Sequence, residues 1–483
     1  MASGLIVSGS GIRGIVGTDL VPELVARLAA SFGLLVAKGP DASVVVGRDA
    51  RVSGPMFAAA AQAGLQSVGC RVVDCGLVPT PTLQLAVEHH HAAGGIAITA
   101  SHNPAEWNAL KFVGPDGVFL DGADAGELVA RAERGDLPRR AWDRVGTVAR
   151  DDGAVRRHLD AVLRLEVLRP ARIRRRKLTV ALDCVRGAGG TIMPGLLQRL
   201  GCRVVGLDLE PDGRFPRAPE PVPEHLGALG DLVRRRKADL GMAVDPDVDR
   251  LALVDERGEP IGEDYTLAFA VRAVLEGSAV RGFGGSKRVR PAHRRTSEPS
   301  KGGRVVVCNL STGLVVEDAA RACGAEVLRV PVGDANVARA MREAEAVVGG
   351  EGNGGVILPA LHLGRDAPVG AALVLELLTR TRKTVSELVA EQPRYTIVKV
   401  KTPRGPDLAL AFSELRRRFS DARVDQRDGL HLAWTDRWLH VRPSGTEPVV
   451  RLIAEAPNQA TALELIHAAQ EMLERERTAA CAG

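Results

Sequence analysis

The segment LGMAVDPDVDRLALVD places Asp245, Asp247 and Asp249 between two apolar stretches. Residues two apart in an extended segment point the same way, so this spacing predicts three converging carboxylates. Such a group repels itself unless a cation neutralises it. An all-oxygen ligand set suits Mg²⁺ rather than zinc. A calcium EF-hand also reads D-x-D-x-D, and Glu256 falls where its last ligand belongs. Arg250, however, occupies the position that loop reserves for glycine, and both flanks read as strands. Three carboxylates supply half of the roughly six ligands Mg²⁺ takes, leaving room for water or a phosphate oxygen.

Three further segments offer chemistry. In GGIAITASHNPAEWNALKF, Ser101 follows an apolar strand, with His102 beside it. The surroundings are not G-x-S-x-G, so a hydrolase elbow is not supported. The hydroxyl either acts as a nucleophile or caps a turn before Asn103-Pro104. In VGGEGNGGVILP, Glu351 and Asn353 stand in a glycine-rich turn, where backbone can approach a ligand and the side chains can hydrogen-bond hydroxyls. In HVRPSGTEPVVRL, Arg442, Ser444, Gly445 and Thr446 could cradle an oxyanion. The same residues also read as a hairpin turn with a surface arginine.

These segments need a scaffold, and the chain repeats one. Stretches starting at Ser43, Leu178 and Arg304 each run apolar strand, small-residue turn, helical pattern, glycine, apolar strand. Gly69, Gly201 and Gly324 stand where each helix must stop. Strand-helix-strand units with continuous apolar strands indicate mainly parallel sheets covered by helices. The spacing is far longer than the ~20–50-residue period of a solenoid. Three similar α/β domains are therefore expected, assigned here to residues 1–150, 151–258 and 259–385. From about Pro393 the pattern changes to alternating strands around two helices, an α+β domain over 393–483. The basic runs RIRRRK (172–177) and Ser278–Gly303 read as linker and exposed loop.

The 483 residues are 45% hydrophobic, 25% charged and only 3% aromatic. That excludes disorder, collagen and coiled coil, and requires cores of Ala, Val and Leu. A formal charge of +5 over this length does not indicate a nucleic-acid binder, and no aromatics interleave the basic segments for base stacking. Seven cysteines without a C-x-x-C pair indicate neither a disulfide scaffold nor a zinc site. No uncharged apolar run reaches the ~18 residues of a membrane span, and no signal peptide is visible. A cytoplasmic location is the expectation.

Taken in order, the motifs resemble those of the α-D-phosphohexomutases over nearly the whole chain. They are S-G-I-R-G (from Ser10, through Gly11–Gly14), T-A-S-H-N-P (Thr99–Pro104), D-P-D-V-D-R (Asp245–Arg250), G-E-G-N-G-G (Gly350–Gly355) and R-P-S-G-T-E-P (Arg442–Pro448). The resemblance implies four domains around a central cleft. It implies that Ser101 carries a phosphoryl group, with one Mg²⁺ held by Ser101, Asp245, Asp247 and Asp249. The phosphoserine would pass its phosphoryl group to a hexose monophosphate, forming a 1,6-bisphosphate that turns over in the cleft. A glucose- or glucosamine-1,6-bisphosphate is the implied activator.

Arg13 and Arg250 would add positive charge, and Lys111 and His102 are the candidates for general acid and base. Glu351 and Asn353 would hold sugar hydroxyls. Arg442, Ser444, Gly445 and Thr446 would hold the non-reacting phosphate. Many members end the sugar loop in G-E-x-S-G-H, where this chain has Gly355. His362 is a possible substitute, or else a surface or structural histidine. The G-E-x-N-G loop is more similar to those of amino-sugar mutases. Interconversion of glucosamine 6-phosphate and glucosamine 1-phosphate is therefore the expected activity. The alternatives are a phosphomannomutase/phosphoglucomutase and a non-catalytic phosphosugar-binding protein. The expected partner is a small hexose phosphate, without nucleic acid or membrane, and oligomeric state is left open.

Overall fold

The computed structural model describes residues 4–8, 11–37, 39, 42–279, 304–403, 408–444 and 449–481. They form four sheets of seven, four, four and five strands. Each of the first three is built on one unit. Its central strand (Ser43–Arg48, Thr179–Asp183 or Val305–Asn309) pairs in parallel with the strand that follows the next helix (Arg71–Leu77, Arg203–Leu207 or Glu326–Val330). The anticipated glycines end those helices with positive φ, at +92°, +76° and +68° for Gly69, Gly201 and Gly324, a conformation glycine adopts without steric cost.

The chain then crosses to the other side of the central strand. A further parallel strand forms there: Gly94–Ile98, Leu240–Val244 or Val348–Glu351. All three are buried along their whole length, which explains their unbroken small and apolar sequences. Each is followed by a loop and an antiparallel return strand: Trp107–Val113, Leu251–Val254 or Gly355–Ile357. The sheets are therefore mixed, with parallel centres and an antiparallel side. The serine, aspartate and glutamate loops occupy the same place in three copies of one topology. That place lies beyond the carboxyl ends of parallel strands, where strand order reverses and α/β sheets bind their ligands.

One apolar core runs through the second and third sheets, joining Leu182 and Met242 to Phe269, Leu373 and Val348. The helices Asp264–Ala279 and Ala367–Thr381 contribute long stretches of it. Two separate cores cover the faces of the first sheet. The fourth sheet is antiparallel throughout, and its helices Ala409–Arg418 and Gln459–Cys481 close its own core. Polar contacts dock it on the third domain: Leu314 N donates to Glu455 Oε2 at 2.8 Å and Val332 N to Asp428 Oδ2 at 3.0 Å.

One sequence expectation changes, and another lies almost wholly outside the described residues. The basic run at 172–177 is not a linker, because Pro170–Arg176 is a helix with Ile173 buried and Arg176 donating to the Leu378 carbonyl. Proline at its first turn and one buried apolar residue suffice to seat a short helix. The second basic run falls at residues 280–303, outside the described residues, except that Ser278 and Ala279 end a helix. Among the described residues, no helix is long and apolar enough to cross a membrane.

Candidate active site

Ser101 leaves the strand Gly94–Ile98 with φ at +49°, a left-handed conformation that is unfavourable for a residue with a Cβ. Its neighbourhood holds it there. Thr99 Oγ1 accepts the Ser101 amide at 3.0 Å and donates to Asp49 Oδ2 at 2.6 Å. Arg51, 1% exposed, spends four of its five donors on this loop and the fifth on Asp49. It bonds the carbonyls of Ser101 (2.7 Å), Asn103 (2.6 Å), Pro104 (2.6 Å) and Trp107 (2.8 Å), and Asp49 Oδ2 (3.1 Å).

The Ser101 hydroxyl donates to Asp245 Oδ2 at 2.8 Å across 144 residues of chain. Asp245, Asp247 and Asp249 do converge, with one ligand oxygen from each within 4.8 Å of the others. The cause differs from the strand-like alternation anticipated. Residues 246–249 form a turn, closed by Val248 N to Asp245 O at 3.1 Å, with Val248 at φ +66°. A β-branched residue there is strained, and burying Val248 completely in the shared core opposes that cost.

The three acids are not equivalent. Asp245 Oδ1 accepts the amides of Asp249 and Arg250, both at 3.2 Å. Asp247 Oδ2 accepts Thr80 Oγ1 at 2.8 Å and Lys111 Nζ at 2.7 Å. Asp249 Oδ2 accepts Arg365 Nη2 at 2.6 Å. Burial, and then the negative charges of Asp247 and Asp249, push the Asp245 carboxyl well above its ordinary range. Burial also raises Asp247, but Lys111 and its hydrogen bonds outweigh that and hold it below the ordinary range. Burial lowers the Lys111 ammonium, yet Asp247 and Asp249 hold it above its usual value.

The Oδ1 atoms of Asp247 and Asp249 are buried and accept no hydrogen bond among the described residues. Unsatisfied buried carboxylate oxygens are costly. A hard divalent cation among these oxygens would remove that cost and the mutual repulsion, so the donor set fits Mg²⁺.

Other anticipated residues lie around this centre. His102 Nδ1 is 3.4 Å from Ser101 Oγ. Burial, then Arg250 and Arg13, lower its pKa well below the usual histidine value, leaving a neutral ring. Arg250 Nη1 donates to Glu220 at 2.9 Å, and Arg13 Nη1 to Asn103 Oδ1 at 3.0 Å.

In the third domain Glu351 Oε1 accepts Asn309 Nδ2 (2.8 Å) and Gly333 N (3.1 Å), while Oε2 accepts Arg365 Nη1 (2.7 Å) and Asn353 Nδ2 (3.2 Å). Arg442 pairs with Asp428 at 3.1 Å, and Ser444 N closes a hairpin onto Val449 O at 2.8 Å. Asp428 also binds the Val332 amide, next to the Gly333 amide that binds Glu351, so the fourth domain is tied to the Glu351 loop. Ser10, Gly445 and Thr446 fall outside the described residues.

His362 does not take the place left by Gly355. It is buried, bonds Asp366 Oδ2 at 2.9 Å, and shares that carboxylate with His158 at 2.8 Å; its role is structural and internal. The space over Gly355 belongs to Arg365, whose Cδ lies 2.3 Å from where a Cβ would stand.

Sequence reasoning passed over Arg365, Arg51, Thr80 and Glu220. Arg51 carried a readable signal: GRDAR puts three charges directly after an apolar strand, at the end of the sheet where the other loops lie. Thr80 and Glu220 had none, since only folding brings them to the acids.

Four models of the phosphoglucomutase/phosphomannomutase family match the chain in order: α/β/α domain I over residues 4–139, domain II over 156–258, domain III over 291–395 and the C-terminal domain over 397–472. A Methanopyrus kandleri protein named "Probable phosphoglucosamine mutase" is 38% identical over 94% of this chain and 95% of its own length. A Thermococcus kodakarensis protein named "Phosphoglucomutase/phosphomannomutase" is 36% identical over 96% of this chain and 97% of its own. The crystal structure of a phosphoglucomutase/phosphomannomutase family protein from Burkholderia thailandensis superposes with a TM-score of 0.82 at 26% identity, covering 98% of this chain and 97% of that one. Four matched domains, near-complete coverage by relatives above a third identity and a shared overall fold lead to one conclusion: the chain belongs to the phosphoglucomutase/phosphomannomutase family and is a phosphohexomutase.

Proposed function

We propose that the enzyme interconverts glucosamine 6-phosphate and glucosamine 1-phosphate through a phosphorylated Ser101. The hydrogen bond from Ser101 Oγ to Asp245, inside a cluster of three buried acids, carries the mechanistic part of this reading. In the forward half-reaction the Ser101 Oγ–P bond breaks and a bond forms between that phosphorus and the free hydroxyl oxygen of the hexose monophosphate. The hydroxyl proton leaves to a base, and Ser101 Oγ takes up a proton as the Oγ–P bond breaks. The resulting 1,6-bisphosphate reorients, and its other phosphoryl group returns to Ser101.

Phosphoryl transfer needs positioning and charge stabilisation more than covalent help. Ser101, Asp245, Asp247 and Asp249 would hold Mg²⁺, which when bound supplies charge neutralisation for the phosphoryl oxygens. Lys111 is held protonated by two acids, so it serves as a charge and a proton donor. His102 lies beside Ser101 Oγ, which makes it the candidate for proton exchange with the serine oxygen. Arg13 and Arg250 supply further positive charge. Glu351 and Asn353 orient the sugar, and Arg442 and Ser444, with Gly445 and Thr446, hold the distal phosphate. A hexose 1,6-bisphosphate primes the serine.

The amino-sugar assignment is supported by the G-E-x-N-G loop and by the Methanopyrus relative's name. The Thermococcus relative's name favours the second reading, a phosphomannomutase/phosphoglucomutase. Assaying the purified enzyme with glucosamine, glucose and mannose 6-phosphates plus a bisphosphate primer separates them. Glucosamine 6-phosphate should give the highest kcat/KM, and a strong preference for mannose 6-phosphate would overturn the assignment. Intact-mass analysis should show a phosphate-sized increment mapping to Ser101 and absent from Ser101→Ala, which should also lose most turnover.

A further inference from the structure

Arg365 lies outside every motif that drew attention in the sequence, yet it touches both halves of the site. We propose that it is a positioning residue whose single guanidinium orients the metal-loop acid Asp249 and the sugar-loop acid Glu351 together. The inference rests on the reading of these loops given above and deepens it.

The contacts define the role. Nη2 donates to Asp249 Oδ2 at 2.6 Å and Nη1 to Glu351 Oε2 at 2.7 Å, with Asp334 at 3.4 Å. With Oδ2 taken, Oδ1 of Asp249, which accepts no hydrogen bond among the described residues, is the oxygen left to face a cation. With Oε2 clamped by Arg365 and Oε1 by Asn309 and Gly333, the Glu351 carboxylate cannot rotate. A planar fork with fixed donor directions can serve two carboxylates at once, which a lysine ammonium on a flexible stem cannot match.

The fold also makes room for this fork and pins it. A Cβ at Gly355 would lie 2.3 Å from Arg365 Cδ, so Gly355 is the gap that the arginine stem fills. The next residue, Asp366, is fastened on all sides. Its amide donates to Val356 O at 2.8 Å, and Oδ1 accepts Val369 N at 3.0 Å. Oδ2 is shared by His158 and His362. The buried histidine pair thus fixes the backbone from which Arg365 reaches out.

The test uses the full-length enzyme and three readouts: Mn²⁺ affinity from the free-ion EPR signal without substrate, KM for the preferred hexose 6-phosphate, and Tm. Arg365→Lys keeps the charge and loses the fork. Its Mn²⁺ Kd and its KM should both rise, each by about tenfold, the scale seen when a partner of a metal ligand is lost. Asp249→Asn should move chiefly the Mn²⁺ constant, and Glu351→Gln chiefly KM. Gly355→Ala should shift both constants more in the wild-type background than in Arg365→Ala, because the tightest collision it creates is with the arginine stem at 2.3 Å, and the remaining one, with Asn353 Oδ1 at 3.1 Å, is milder.

The inference is overturned if Arg365→Lys retains its Tm with both constants within twofold, or with only one displaced. It is also overturned if Gly355→Ala has the same effect in both backgrounds, a comparison that still decides the matter should Arg365→Lys fold poorly. Wild-type enzyme that binds no Mn²⁺ and converts no hexose phosphate would instead sink the reading of the site itself, and the bridge with it.

Discussion

Arg51→Lys should loosen the serine loop while leaving the rest of the first domain in place. A guanidinium has five N–H donors, and Arg51 makes five bonds, to Asp49 and to the carbonyls of Ser101, Asn103, Pro104 and Trp107. A lysine has three donors at most, so at least two of these acceptors lose their partner. At about 1.5 kcal/mol for each charge-assisted bond, the low end of the range, the loop loses about 3 kcal/mol. Ser101 at φ +49° adds strain that the arginine contacts no longer restrain, which acts in the same direction.

Since about 1.4 kcal/mol is a factor of ten, local opening should become about 100-fold more frequent. Hydrogen exchange measures this directly. The amides of Ser101, Asn103 and Trp107 bond to Thr99 Oγ1, Ala100 O and Pro104 O, so peptides covering residues 99–108 report on the loop. The strand Ser43–Arg48 in the same sheet is the control. Loop exchange about 100-fold faster with the strand unchanged, accompanied by a fall in kcat, is the expected result. Loop protection equal to wild type, or equal loss over loop and strand, would refute the argument.

Three other outcomes follow from particular contacts. Asp247→Asn removes the negative charge and replaces one carboxylate oxygen by an NH2 group, so the side chain can no longer serve both Lys111 and a cation. It should raise the Mg²⁺ concentration needed for half-maximal rate by at least about tenfold, and an unchanged Mg²⁺ titration would count against a metal at this triad. Burial, then Asp264, pushes Glu455 up to about 8 from an ordinary 4.5. The folded state therefore keeps a proton there that the unfolded chain has released, so its contribution is full below pH 4.5 and is lost as pH rises through about 8. Tm should fall more steeply between pH 5 and 8 in wild type than in Glu455→Gln, and parallel slopes would remove Glu455 as the cause. Finally, Arg304 Nη1 donates to Leu275 O at 2.7 Å, so the two ends that flank residues 280–303 lie side by side. Replacing that segment by a short Gly/Ser linker should leave Tm and turnover near wild type, and loss of turnover with Tm intact would assign it a role in catalysis.

Much of this protein was legible in its residues because the information is local. Continuous apolar runs such as SVVV and AITA, each closed by small residues or glycine, specify a buried strand and its end without reference to the rest of the chain. The chemistry was legible for the same reason: Ser101, the three acids and Glu351 each stand at or just beyond the carboxyl end of such a strand, where a parallel sheet presents its loops. Local pattern misjudged how the acids converge. Alternation alone suggested an extended segment, whereas a turn through a left-handed Val248 gathers them, and its strain is tolerated only because the side chain is buried in a core shared by two domains.

The contacts between loops were not legible at all. Lys111 meets Asp247 across 136 residues and Arg365 meets Asp249 across 116. No spacing rule spans such separations; they exist because three copies of one topology turn the same loop toward one place. Sequence alone therefore marked the candidates for holding a cation, a sugar and a phosphate. Only the tertiary structure decided which atoms remain free to do so, because a buried donor or acceptor must find a partner, and in this fold Arg51, Arg365 and Lys111 had already taken most of them.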